Sequence, residues 1–151
     1  MRLKKNNRSI VFGTWLNFLE KPYSEWVDFF EKFKEAGITE YFINASIDQL
    51  EYLIELTNNI NVNIHGWIWT LNRPNDKKTI KNKNWYSVNK KGHNSYSYRP
   101  YVDYYQWLSP FSVGARNYVK DNISKIAKIK DIASVHLDYI RYCDIVLPIT
   151  L

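Results

Sequence analysis

At 151 residues, 45% hydrophobic and 24% charged, with five glycines and five prolines, the chain is long enough for one domain with a real core and has a globular composition. A formal charge of +6 invites a nucleic-acid partner, but much of the excess sits in Lys77, Lys78, Lys81, Lys83, Lys90 and Lys91, among asparagines. That run reads as a solvated loop, so no nucleic acid is expected. The single cysteine, Cys143, excludes an internal disulfide, and no apolar run is long enough to span a membrane.

Aromatic content is the unusual term, at 17%, with six Trp and twelve Tyr. Such rings stack on the C–H faces of sugars and offer polar tips to hydroxyls, although an aromatic-rich core is equally compatible. The N-terminal MRLKKNNRSI has a signal peptide's charge but no apolar run behind it, so no signal peptide is visible.

In chain order, Ile10 to Leu16 is a short β-prone strand, apolar on both faces, as a strand covered by helices should be. Pro22 and Ser24 announce a helix. Its Trp26, Phe29, Phe30 and Phe33 form one apolar stripe, and Gly37 ends it. Glu40 to Asn44 is the second strand. Ser46 with Gln49 makes a capping box before a helix that buries Leu50, Leu53 and Ile54. In the third strand, Val62 to Thr70, Val62, Ile64 and Ile68 face one way and Asn63, His65, Trp67 and Trp69 the other. A long polar and aromatic segment, Leu71 to Pro110, reads as a functional loop. A third helix follows from Val113 to Lys128, burying Val119, Ile123, Ile126 and Ala127, and the fourth strand is Ser134 to Asp138.

The order βαβαβαβ predicts an α/β fold with a parallel sheet. An open doubly wound sheet usually carries a Gly-rich phosphate turn after its first strand, whereas NFLEKP has no glycine. Trp15, Asn17, Asn44, Trp67, Trp69 and Asp138 gather instead at the C-terminal ends of strands, where barrels place their chemistry. The expectation is a partial TIM (β/α)8 barrel, its first four strands. A whole barrel needs about 250 residues and eight strands, so a C-terminal half, or a second copy in a homodimer, would close the open edges.

Asp138 is the strongest candidate for chemistry. Alternation puts it with His136 on one face of the strand, and an inward carboxylate must be paired, solvated or used. It would act as a general acid, general base or nucleophile on a glycosidic bond, or else form a structural pair with Arg141, with the Tyr142 hydroxyl close by. Glycoside hydrolysis needs a second carboxyl about 5 Å or 6.5–9.5 Å away. Glu20, Asp103 and Asp144 have no positional claim to that role. Trp67 and Trp69 would form either a stacking floor for a sugar or barrel filling. His65, His136 and Asp138 could make a metal site, but inward histidines are more often satisfied core residues. No metal or cofactor is expected.

Three stretches, HGWIWTLNRPN (His65 to Asn75), SYRPYVDYYQWLSP (Ser97 to Pro110) and SVHLDYIRYCDIVLP (Ser134 to Pro148), resemble the bacterial family-10-like glycoside hydrolases. Those proteins carry H-L-D-Y-I-R-Y-P at a strand end and W-x-W-T-x-N-R-P after the third strand; here Cys143 stands in the place of the proline. The resemblance implies a TIM-barrel hydrolase acting on polysaccharide or glycoside, commonly secreted or periplasmic. It also implies Asp138 as the active-site carboxylate, Tyr139, Arg141 and Tyr142 shaping the pocket, and Trp67, Trp69, Asn72 and Arg73 lining it. Little catalysis is expected of the half-barrel alone. The alternatives are a non-catalytic carbohydrate-binding or self-associating half-barrel and, more weakly, a metal-dependent hydrolase.

Overall fold

The computed structural model describes residues 10–143, so the N-terminal basic stretch, Asp144 and the DIVLP end of the third motif lie outside the described residues. Strands and helices alternate: β1 (Phe12–Asn17), α1 (Tyr23–Glu35), β2 (Ile38–Asn44), α2 (Ile47–Thr57), β3 (Asn63–Trp69), α3 (Lys77–Ile80), a 3-10 turn (Lys83–Trp85), α4 (Val113–Ala127) and β4 (Ser134–Asp138). The strands form one sheet in the sequential order β1-β2-β3-β4, parallel throughout. No helix among the described residues is long and apolar enough to cross a membrane.

The chain divides into two compact units. The first holds the residues up to Trp67 together with Lys128–Val135; the second holds Ile68–Ala127 and the residues from His136. In the first unit, α1 buries Trp26 and Phe30, which stack on each other, and Phe30 meets Tyr41 of β2 edge-on. The four-residue stripe expected there is narrower, because Phe29 is half-buried and Phe33 is 36% exposed at its margin. Gly37 follows at φ +89°, a conformation that penalises any side chain. The capping box opening α2 forms in full: Ser46 Oγ accepts from the Gln49 N–H, and Gln49 Oε1 accepts from the Ser46 N–H. Leu50, Leu53 and Leu56 are buried, and Ile54, expected among them, is half-buried. In β2 and β3, Tyr41, Ile43 and Ile64 point into this core while Glu40, Phe42 and His65 take the opposite face.

The first strand departs from the expectation of burial on both faces. It is an edge strand, with Phe12 and Trp15 more than half exposed, because β2 is its only partner among the described residues.

In the second unit, the segment read as one long loop has structure of its own. Besides α3 and the 3-10 turn, isolated antiparallel bridges join Asn72 to Trp107, Tyr86 to Leu108 and Val88 to Asn94. Tyr86 and Leu108 share a core with Ala115 and Val119 of α4, edged by Leu71, Trp85, Tyr96 and Ile123. Tyr and Trp residues fill this core, which hydrophobic periodicity over short windows does not reveal. Ala127, expected on the buried side of α4, is exposed.

Candidate functional site

In the second unit β4 ends at Asp138. The Thr70 N–H donates to the Asp138 carbonyl at 2.8 Å and the Leu71 N–H to the Tyr139 carbonyl at 3.4 Å, which pins the strand end beside the residues that follow β3. The carboxylate Oδ1 of Asp138 accepts the Tyr139 N–H at 2.7 Å. Tyr139 itself adopts φ +48°, in the left-handed region that ordinarily favours glycine or asparagine.

That backbone turn delivers the Tyr139 ring into a cluster of aromatics. It meets Trp69, Trp107 and Tyr105 edge-on, at centroid distances of 5.0, 5.5 and 6.1 Å, and Tyr104 lies against Trp69 at 6.2 Å. The Arg141 guanidinium stacks over both Trp107 and Tyr139, 5.2 and 5.3 Å from their centroids. Burial pushes the Tyr139 phenol up to about 12, with a hydrogen bond to Tyr104 and the nearby Tyr105 and Asp138 acting in the same direction. A cavity of about 510 Å³ opens beside the cluster, lined in part by His93, Arg99, Tyr101, Trp107, Arg141 and Tyr142. Its lining among the described residues includes two arginines and no carboxylate.

Asn72 and Arg73, expected to line the pocket, brace the segment and are not among the cavity's lining residues. Asn72 is fully buried, and its Oδ1 accepts the Gln106 N–H at 2.9 Å. Arg73 donates from Nε to the Thr70 carbonyl and lies 3.9 Å from Asp76, whose carboxylate also accepts the Tyr118 hydroxyl at 2.8 Å. Burial lowers the Arg73 pKa, against the pull of Asp76 and Tyr118. Trp69 Nε1, Trp107 Nε1, Asn72 Nδ2 and Arg73 Nη2 are buried donors with no acceptor among the described residues. Tyr142 is exposed on the cavity rim, and His136 is half-buried in β4 on the face of Asp138.

The first unit assembles a different row. Register aligns Trp15 with Phe42 and Phe42 with His65, and the three rings stack in turn at 5.0 and 4.5 Å. His65 Nε2 lies 2.7 Å from Glu40 Oε2, and His65 Nδ1 lies 2.7 Å from Ser134 Oγ. The other Glu40 oxygen accepts from Asn63 Nδ2 at 2.8 Å and from the Thr39 hydroxyl at 3.3 Å. Burial opposes ionisation of Glu40, but the hydrogen bonds from Asn63 and His65 and the imidazole's charge outweigh it, holding the carboxyl below its usual pKa. Gly13 pairs with Glu40, and a Cβ there would come within 3.0–3.1 Å of Glu40 and Phe42, so any side chain at that position would crowd this row. Asn44 pairs with Asn17, its carbonyl accepting the Phe18 N–H at 3.0 Å, and Trp67 is half-buried on the His65 face of β3.

Of the residues expected at a site, Trp69, Tyr139 and Arg141 converge in one unit, and Trp15 and His65 in the other. With both His65 nitrogens engaged, the ring is held by protein partners, and no group of three or more His, Cys, Asp or Glu among the described residues could hold a metal ion. Sequence reasoning missed Tyr104, Tyr105, Trp107 and Arg99 as site residues, although the density of the YVDYYQW run signals the first three. It also missed Glu40 and Ser134, which cross-strand register alone brings to His65. No protein-family model matches the chain, and no curated protein matches it either.

Proposed function

We propose that the chain forms the first four strand–helix units of a glycoside-hydrolase-type (β/α) barrel acting on a polysaccharide or glycoside, with Asp138 as the active-site carboxylate. The observation that carries this reading is a carboxylate at the C-terminal end of a parallel strand, next to a wall of Trp69, Tyr104, Tyr105, Trp107 and Tyr139. Sequential strand order supports it, since a doubly wound sheet reverses direction at a switch point and this one does not. Rings with exposed faces, such as Tyr101 and Tyr104, suit the C–H faces of a sugar. Asp138 would then protonate the leaving oxygen or attack the anomeric carbon.

A second reading, binding without cleavage, is favoured by one observation: the described lining of the cavity consists of rings such as Tyr98, Tyr101, Trp107 and Tyr142 with Arg99 and Arg141, a surface suited to holding a sugar. The experiment combines affinity electrophoresis through neutral and acidic polysaccharides with an assay for released reducing ends. Trp69→Ala should weaken retardation about tenfold, equivalent to about 1.4 kcal/mol. Asp138→Asn should keep binding and abolish release. Release undiminished in Asp138→Asn sinks the catalytic assignment, binding without release even when a C-terminal half is supplied selects the second reading, and no retardation in any polysaccharide refutes both.

A further inference from the structure

We propose that Ser134, His65 and Glu40 form an acyl-transfer centre, with the Ser134 hydroxyl as nucleophile toward carboxylic esters. The centre uses none of the residues around Asp138, but it requires the Glu40–His65 face of the sheet, which a closed barrel would fill, to be open to substrate. Three neighbouring strands each supply one member, β4 the serine, β3 the imidazole and β2 the carboxylate. Both contacts are 2.7 Å, short enough for direct proton transfer.

The partners determine the tautomer. An ionised Glu40 has only acceptors, so the imidazole N–H must lie on Nε2 and point at Oε2. In the neutral ring Nδ1 then carries a lone pair, and the Ser134 O–H donates to it. This is the polarity a nucleophilic serine needs: a base on its proton, and a third group holding the base in the right tautomer. The two ring nitrogens exchange the roles they have in the chymotrypsin arrangement, which leaves the proton path unchanged. Glu40 is itself held by Asn63 and Thr39, and Phe42 covers one face of the imidazole with its ring 21° from parallel. The side chains of His65 and Glu40 are only 12% and 20% exposed, whereas Ser134 is exposed and open to an incoming ester.

In the reaction Ser134 Oγ attacks the ester carbonyl carbon while its proton passes to His65 Nδ1. The tetrahedral adduct collapses, the bond from the acyl carbon to the alcohol oxygen breaks, and that oxygen leaves with the proton from Nδ1. Water then attacks the acyl-serine, giving one proton to Nδ1, and Ser134 Oγ departs with it. The sum is ester plus water giving carboxylic acid plus alcohol. Glu40 is a positioning residue, balancing the imidazolium that forms twice in each cycle.

The test is treatment of the whole chain with a fluorophosphonate, which phosphonylates an activated serine with loss of HF, followed by peptide mapping. The expected result is one adduct, on Ser134, and none in Ser134→Ala, whose exposed position spares the fold. His65→Gln should slow adduct formation about 10²- to 10⁴-fold, and Glu40→Gln at least about tenfold by weakening the same base. Turnover of p-nitrophenyl acetate should fall in the same order. An unmodified Ser134 in folded wild-type protein overturns the proposal, whatever the variants do. So does labelling that proceeds at the wild-type rate in a folded His65→Gln or Glu40→Gln protein, which would leave the array a purely structural contact.

Discussion

Replacing Gly114 with alanine sets two effects of opposite sign against each other. Gly114 lies in the first turn of α4, and a Cβ built on it would stand 2.4 Å from Trp85 Nε1 and 2.6 Å from Trp85 Cε2. Helix propensity favours alanine over glycine by about 0.8–1.0 kcal/mol in a helix interior, and by less in a first turn. Overpacking costs about 1–3 kcal/mol, and a contact roughly 1 Å inside the usual carbon separation belongs at the upper end of that range. The indole has little room to retreat. It rests on Tyr118 at 5.8 Å and edges the core around Tyr86 and Leu108. Its backbone is tied on both sides, the Trp85 N–H to the Asn82 carbonyl at 2.9 Å and the Ser109 N–H to the Trp85 carbonyl at 2.8 Å. The steric effect should therefore win, and Gly114→Ala should destabilise the protein by about 2 kcal/mol. Urea unfolding of wild type, Gly114→Ala, Trp85→Leu and the double variant reads this directly. In the Trp85→Leu background the alanine penalty should shrink to about 0.5 kcal/mol or less, a coupling that isolates the contact. An alanine variant as stable as wild type, or a penalty unchanged once the indole is removed, would refute the argument.

Ser46→Ala should cost about 1 kcal/mol, because the Gln49 N–H loses the oxygen it donates to and the reciprocal bond loses its geometry; a thermal midpoint equal to that of Ser46→Thr would count against it. The Tyr139 phenol is held neutral by folding, so its contribution to stability is fully present below the ordinary phenol pKa of 10.0 and is lost as pH rises through about 12. Phenolate absorbance should lose one late-titrating tyrosine in Tyr139→Phe, leaving Tyr41, Tyr86 and Tyr118, which burial also raises, and the pH-dependence of unfolding above pH 10 should flatten in the same variant.

Much of the frame was legible because it is local. The alternation of strand and helix patterns, the Ser46–Gln49 box, the Gly37 stop and the two-residue period of β3 are each set within a few positions of one another, and each has its counterpart in the structure. The burial of β1 was misjudged because an edge strand and a central strand can share the same apolar composition. The 71–110 segment was misread because its order depends on bridges between distant residues, such as Asn72 with Trp107, and on tyrosines whose hydroxyls are satisfied internally. Thr79 and Tyr86 illustrate this, both buried and joined at 2.8 Å. For the candidate site, position within a strand is what marks Asp138 and Trp69 in the sequence. The link from Glu40 through His65 to Ser134 could not, since register across three strands is fixed by the whole sheet.

Four described residues that are not glycine have positive φ, and three of them, Asn61, Asn75 and Asp131, are of the two types that tolerate it. Tyr139 is the exception, and it sits between the carboxylate of Asp138 and the rings of Trp69 and Trp107. A tyrosine in that conformation costs about 1–2 kcal/mol of backbone energy that glycine would not. Its ring nevertheless meets three aromatic partners edge-on and lies under Arg141, contacts of about 0.5–1.5 kcal/mol each, so together they outweigh the backbone cost. Glycine or asparagine at position 139 should therefore relax the backbone and still lower the melting temperature, because the aromatic wall is fastened at the residue where the backbone most resists the side chain it carries.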